Sequence, residues 1–67
     1  MKRAEAVALL KELGAEQLIQ PFLVLIEQIS PDRYQLQIKG SYNLREIEMV
    51  VKNRFSLKES KGYLIFN

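Results

Sequence analysis

The sequence predicts an α+β fold, a two-layer sandwich in which two helices cover one face of a three-stranded antiparallel sheet. Two segments place apolar residues at helical spacing. A third segment alternates strictly between apolar and polar residues, as a half-buried strand does. Two more are short and rich in β-branched and aromatic residues, which is typical of strands. The predicted order over residues 1–67, taken as one domain, is α-β-β-α-β.

The first predicted element is an amphipathic helix over Met1–Leu13, in which alanine and leucine side chains form one apolar stripe. Gly14 is expected to end it, because glycine adopts the left-handed C′ conformation at little cost. The segment "AEQLIQ" favours a further short helical turn that points Leu18 and Ile19 inward. Pro21 ends that turn, since proline disfavours helical geometry in the residue before it.

Phe22–Ile29 and Tyr34–Lys39 together predict a β-hairpin. The first segment is continuously apolar up to its single glutamate, and the second alternates between apolar and polar residues. The link between them suits a type I turn, with Ser30 at its first position, Pro31 at the second and Asp32 at the third.

A second helix is predicted over residues 43–54. Asn43 is a favourable N-cap, and Glu46 three residues later completes a variant of the capping box. Apolar residues then recur at helical spacing. The segment "SLKESKG" is interpreted as a polar connection, and Tyr63–Phe66 as a short final strand.

The strand order is predicted as 2-1-3. The first strand is apolar on both faces, which favours the central position, and the second has a wet face that suits an edge. The second helix then makes a right-handed crossover between the two outer strands, which run parallel to each other.

Two hairpin registers are possible, and the position of Glu27 separates them. A two- or four-residue loop pairs Ile29 with Tyr34 and sets Glu27 beside Leu36 on the helix-facing side, where a lone carboxylate is costly. A three-residue loop with a bulge is preferred because it places Gln28 there instead. The helix-facing residues in that register are Phe22, Val24, Ile26, Gln28, Tyr34, Leu36 and Ile38.

Either register leaves one sheet face uncovered with apolar residues on it, which on a small protein is typical of an interaction surface. We expect a homodimer packed sheet to sheet about a two-fold axis, or contact with another protein chain. The alternative is that Leu18, Ile19 or the C-terminal tail folds over this face. The other register would expose Phe22, Val24 and Ile26. The interface residues predicted from the preferred register are Leu23, Leu25, Ile29, Tyr63 and Ile65.

The alternative function is that of a nucleic-acid-binding accessory or regulatory protein. The chain carries a net charge of only +2, but its basic residues concentrate in the second half, interleaved with three glutamates. Tyr34, Tyr42 and Tyr63 are candidate platforms for base stacking. The candidate phosphate-contacting residues are Lys39, Arg45, Lys52, Arg54, Lys58 and Lys61.

An enzyme is not expected. The chain has no histidine and no cysteine, so neither a Ser–His nor a Cys–His pair can form. Its three glycines make no phosphate-binding pattern, and a single aspartate cannot supply a calcium loop. We therefore predict no cofactor and no metal ion.

The short length makes the core marginal, and domains of this size usually rely on a disulfide, a metal ion or a partner subunit. Without cysteine or histidine, oligomerisation is the route that the sequence leaves open. No apolar run approaches the ~18 residues of a membrane-spanning helix, and the N-terminus lacks a signal-peptide pattern. The prediction is therefore a cytoplasmic protein without membrane contact.

Overall fold

The computed structural model describes the main chain of residues 1–67 and every side chain except that of Pro21. It confirms an α+β fold with two helices and an antiparallel sheet, but the sheet has four strands instead of the predicted three. The elements in chain order are α1 (Arg3–Ala15), a 3₁₀ turn (Pro21–Leu23), β1 (Val24–Ser30), β2 (Arg33–Lys39), α2 (Leu44–Val51), β3 (Leu57–Ser60) and β4 (Tyr63–Phe66).

The strand order in the sheet is β1-β2-β4-β3, and each neighbouring pair is antiparallel. The predicted order 2-1-3 is therefore wrong, because the apolar β1 lies at an edge and the half-polar β2 lies in the interior. Since β2 and β3 are both antiparallel to β4, they run in the same direction. The helix α2 makes the crossover between these two strands.

The fourth strand comes from the segment "SLKESKG", whose prediction as a polar connection is wrong. Leu57–Ser60 pairs with Tyr63–Phe66 across a two-residue loop. Lys61 and Gly62 have φ angles of 51° and 82°, as a type I′ hairpin turn requires at both central positions. Because this hairpin places β4 beside β2, β1 lies at the edge of the sheet and not at its centre.

The first hairpin contains the predicted bulge and has the predicted alternation of sides from Val24 onward, but Ser30 pairs with Arg33 across a two-residue loop instead of the predicted three-residue loop. Gln28 lies opposite Tyr34 and Ile26 opposite Leu36, and the register shifts between Gln28 and Ser30. Glu27 is consequently kept away from the helix-facing side, as the cost of burying its charge predicts.

β1 begins at Val24, two residues later than predicted. Leu23 donates its N–H to the carbonyl of Gln20 at 2.8 Å, which closes the 3₁₀ turn that precedes the strand. The fixed φ of Pro21 suits this turn. Phe22 therefore does not join the helix-facing side of the sheet as predicted, and its side chain is 82% exposed.

The first helix is shifted by two residues relative to the prediction, and Gly14 lies inside its last turn. The left-handed residue after the helix is Gln17, with φ of 58°. The Leu18 N–H donates to the carbonyl of Leu13 at 3.0 Å, which satisfies an otherwise unpaired helical carbonyl. This reversal turns Ile19 into the core, as predicted, without a further turn of helix.

The second helix begins where predicted but ends earlier. The Glu46 N–H donates to Asn43 Oδ1 at 3.1 Å, which confirms Asn43 as the N-cap. The helix stops at Val51 because Lys52 and Asn53 both adopt left-handed φ angles, 51° and 65°.

A single apolar cluster joins both helices to one face of the sheet. Leu36 lies opposite Phe66 and Ile38 opposite Leu64, so these four strand residues share that face. Leu18 is partly buried against the same cluster, so Leu18 and Ile19 do not fold over the other sheet face. The buried members are Leu9, Leu13, Ile19, Leu36, Ile38, Ile47, Val51, Leu64 and Phe66.

Candidate interaction surface

The sheet face away from the helices, here called the open face, follows from strand alternation. Gln37 lies opposite Leu25 on β1 and Ile65 on β4, and Ile65 lies opposite Lys58 on β3. Because side chains two residues apart on a strand share a face, these four residues determine which other side chains lie on the open face. The open face carries Leu25, Glu27, Gln35, Gln37, Lys39, Lys58, Ser60, Tyr63 and Ile65.

A chain of polar side chains occupies one end of the open face. Gln37 Nε2 donates to Glu27 Oε2 at 2.9 Å and to Gln35 Oε1 at 3.5 Å. Gln35 Nε2 donates to Asn67 Oδ1 at 2.8 Å. These bonds link β1, β2 and the residue after β4. They give the polar side chains of β2 hydrogen-bond partners, although this strand lies in the interior of the sheet.

Apolar side chains occupy the other end. Phe22 and Leu25 are 82% and 53% exposed, which is unusual for such large apolar side chains. Together with Leu23 and Tyr63 they border a shallow depression of about 390 Å³ beside the start of β1. Val24, Gln37 and Lys39 complete its lining.

The five residues predicted as an interface are only partly brought together. Leu23, Leu25 and Tyr63 share the depression. Ile65 lies on the same face, separated from Leu25 by Gln37. Ile29 is 47% exposed at the bulge, at the far end of β1.

Phe22 lies in the turn before β1 and not on the helix-facing side that the preferred register predicted. The sequence signal for this turn was Pro21, because a proline directly before an aromatic residue favours a turn over the start of a strand. The exposed apolar surface is therefore larger at the start of β1 than the sequence predicted.

The outer edge of β1 carries main-chain groups that point away from the sheet. Tyr34 on β2 exchanges two hydrogen bonds with Met1, its N–H donating to the Met1 carbonyl at 2.7 Å and its carbonyl accepting from the terminal amine at 3.1 Å. Tyr34 therefore turns these groups away from β1, and its partner Gln28 belongs to a non-hydrogen-bonded pair. Because antiparallel pairs alternate, Ile26 and Val24 also direct their N–H and carbonyl groups to the outer edge.

The six predicted phosphate-contacting residues are spread over several surfaces. Lys39 and Lys58 lie on the open face, and Lys61 lies in the β3–β4 turn. Arg45 and Lys52 stand at the first turn and the C-cap of α2.

The sixth basic residue, Arg54, ties α2 to α1. Its Nη2 contacts both carboxylate oxygens of Glu12, at 2.8 and 2.9 Å. Its Nε donates to the Val51 carbonyl at 2.9 Å, and Nη2 donates to the Val50 carbonyl at 3.1 Å. The guanidinium also lies 5.8 Å from the centroid of the Phe55 ring. Arg54 therefore acts as a C-terminal cap of α2 with a carboxylate partner.

The three tyrosines do not form a common platform. Tyr63 lies on the open face, whereas Tyr34 shares the parity of the helix-facing residues. The Tyr42 hydroxyl donates to Glu59 Oε2 at 2.6 Å. This hydrogen bond to the carboxylate, with a smaller contribution from desolvation and from the negative charge, raises the pKa of Tyr42 above its usual value of 10.0.

The described part of the chain offers neither a metal site nor a membrane-spanning helix. It contains no group of three acidic side chains placed to hold a metal ion. Neither of its helices is long and apolar enough to cross a membrane. The sequence matches no protein-family model, and its comparison with curated proteins and with solved structures gives no significant match.

Proposed function

We propose that this protein is a small, non-enzymatic interaction module that self-associates through the apolar end of its open face. The observation that carries the proposal is the exposure of Phe22 and Leu25 beside Leu23 and Tyr63. An exposed apolar cluster of this kind is typical of a surface that another protein chain covers. The proposed location is the cytoplasm, whose reducing conditions fit a chain without cysteine.

The exposed area is large enough for an interface with a second copy. The chain exposes 4774 Å², and a monomer of 7.8 kDa is expected to expose roughly 4400 Å². The smallest stable dimers bury about 600 Å² per subunit, which is roughly an eighth of this surface. Burying such an area would also supply the additional stabilisation that a 67-residue domain generally needs.

The test is the mass in solution over a dilution series, measured by light scattering or sedimentation at low and high salt. We expect a dimer whose dissociation constant changes little with salt, because apolar contacts are not screened. A monomer at all concentrations up to about 1 mM, where even weak association of roughly 4 kcal/mol is detected, contradicts self-association.

The chain offers a matched pair of variants for the same assay. Leu25→Lys places a charge in the proposed interface, and Met49→Lys places one on α2 at a side chain that is 67% exposed. We expect only Leu25→Lys to shift the protein to a monomer, with both variants keeping the native circular dichroism spectrum. Equal behaviour of the two variants contradicts the assigned surface.

A second candidate function is single-stranded nucleic-acid binding on the same sheet face. It is supported by Lys39, which lies opposite Tyr63 on the open face, and by Lys58, which lies opposite Ile65 on the same face. A cationic sheet surface with an aromatic side chain can hold the backbone and stack a base.

Fluorescence anisotropy with a labelled single-stranded oligonucleotide tests this candidate. Each phosphate contact contributes about −0.7 to the slope of log K against log salt, so two lysines predict a slope near −1.4. Lys58→Glu should abolish binding, while Arg45→Glu on α2 should leave most of it. Absence of binding at low salt removes the candidate.

A further inference from the structure

We infer that the dimer forms through β1, whose outer edge pairs antiparallel with β1 of a second copy and joins the two sheets into one of eight strands. This inference rests on the proposed self-association and adds its geometry. β1 lies at the end of the strand order, so one of its edges has no neighbouring strand within the sheet.

The two edges of the sheet differ in how they are protected. β3 has four residues, two of which, Lys58 and Glu59, are charged. β1 has seven residues, with Glu27 as its single charge and no proline or lysine. The bulge of β1 lies after Gln28 and protects only the far end of the strand. Long, apolar edge strands without such protection are the ones that pair with another chain.

The outward direction of the main-chain groups limits the possible registers. Val24, Ile26 and Gln28 present free N–H and carbonyl groups, as deduced above from the bonds between Tyr34 and Met1. A two-fold pairing must therefore join these residues with one another. Three central registers satisfy this condition, and they differ in what faces Glu27.

Charge selects among the three registers. One sets Glu27 directly opposite Glu27 of the second copy, which is repulsive. The next sets Glu27 opposite Leu25 and leaves the two glutamates as diagonal neighbours, about 7–8 Å apart. The third sets Leu25 opposite Leu25 on the two-fold axis and moves the glutamates furthest apart.

The third register also brings Glu27 to the start of β1 of the second copy. Glu27 then lies next to Leu23 of that copy, which belongs to the 3₁₀ turn before β1 and lines the same depression as Lys39. Each carboxylate is thus kept at the strand end of the other subunit that carries Lys39, away from the other Glu27. Val24 and Ile26 exchange main-chain hydrogen bonds across the axis, and the exposed Leu25 side chains cover each other.

Edge pairing also leaves the polar part of the open face in water. Packing sheet to sheet would bury the chain of hydrogen bonds from Glu27 through Gln37 and Gln35 to Asn67. Burying a carboxylate without a charged partner is costly. The polar side chains therefore disfavour the face-to-face dimer that the sequence predicted.

Disulfide trapping tests the pairing directly, because the natural chain has no cysteine. Directly opposite residues of a non-hydrogen-bonded pair have Cα atoms about 4.5 Å apart, within the range that a disulfide spans. We expect Leu25→Cys to form a covalent dimer under mild oxidation. Glu27→Cys and the matched control Lys58→Cys, on the same face at the other edge, should remain monomeric on a non-reducing gel.

A proline substitution gives a second, independent readout. The Ile26 N–H points outward, so Ile26→Pro removes a bond between subunits without removing one from the β1–β2 ladder. We expect the dimer of Ile26→Pro to have a dissociation constant at least about tenfold larger than that of Ile26→Ala, which controls for the lost side chain.

The outcomes separate the geometry from the self-association. A dimer that Leu25→Cys does not trap, and that tolerates Ile26→Pro as well as Ile26→Ala, overturns edge pairing but leaves self-association standing. Trapping by Glu27→Cys in preference to Leu25→Cys overturns the register. A monomeric natural protein overturns both the geometry and the proposed function.

Discussion

Removing the Arg54 side chain should destabilise the fold by more than the loss of one surface ion pair. In Arg54→Ala the contact to Glu12 disappears, and so do the bonds to the Val50 and Val51 carbonyls. The ion pair is 46% and 39% exposed on its two sides, so solvent screening limits it to about 0.2–1 kcal/mol. A cation at a helix C-terminus adds about 0.3–1 kcal/mol.

These contributions give an expected loss of about 1–2 kcal/mol for Arg54→Ala, including the carbonyl hydrogen bonds. Glu12→Gln removes only the ion pair and should cost less than about 1 kcal/mol. For a domain of this size, each kcal/mol corresponds to a shift of roughly 4–8 °C in the melting temperature. The same reasoning predicts an intermediate loss for Arg54→Lys, since lysine keeps the charge but not the planar fork.

Urea unfolding of the two single variants and the double variant measures these terms separately. The double-mutant cycle isolates the coupling between Glu12 and Arg54, which should fall below about 1 kcal/mol and weaken with salt. If Arg54→Ala costs no more than Glu12→Gln, the guanidinium does not act as a cap. In that case high salt should remove most of the difference in stability between Arg54→Ala and the natural protein, because screening weakens the ion pair that only the natural protein has.

Two further predictions concern the turns and Tyr42. Gly40 and Gly62 have φ angles of 90° and 82°, so alanine at either position should cost about 1–2 kcal/mol. Gly40→Ala should cost more in urea unfolding, because its Cβ would lie 3.3 Å from Leu23 Cδ1 whereas that of Gly62 meets open space; equal losses would contradict this. The bond to Glu59 stabilises the neutral Tyr42, so its contribution is present below pH 10 and is lost as pH rises through the elevated pKa. Ultraviolet titration should show that Glu59→Gln returns the Tyr42 pKa towards its usual value, and an unchanged titration would exclude the carboxylate as the cause.

Local sequence signals predicted the elements better than their arrangement. The N-cap at Asn43 and the hairpin bulge were predictable, because each depends on chemistry within a few residues. The bulge follows from Glu27 alone, whose burial would have been costly. Helix ends were less predictable. Leu18 and Ile19 pack against the core, and the left-handed residue after the first helix is Gln17 and not Gly14.

The hairpin of β3 and β4 was missed because its first strand is short and polar. Only Leu57 of the β3 residues is apolar, and Lys61 takes a left-handed position that asparagine or aspartate more often occupies. Gly62 was the available signal, since a glycine directly before an apolar strand suits the second central position of a type I′ turn.

The strand order failed for a related reason that bears on function. A strand that is apolar on both faces was assigned to the centre of the sheet, where two layers of its own chain would bury it. β2 takes the central place instead, because Gln35 and Gln37 bond with Asn67 and Glu27 and need no second layer. The apolar sequence of β1 is then unexplained by the monomer, and Leu25 is left 53% exposed. The proposed pairing with a second β1 would give this strand a neighbour on both sides, as in the central position that its sequence favours, with the second neighbour supplied by another copy of the chain.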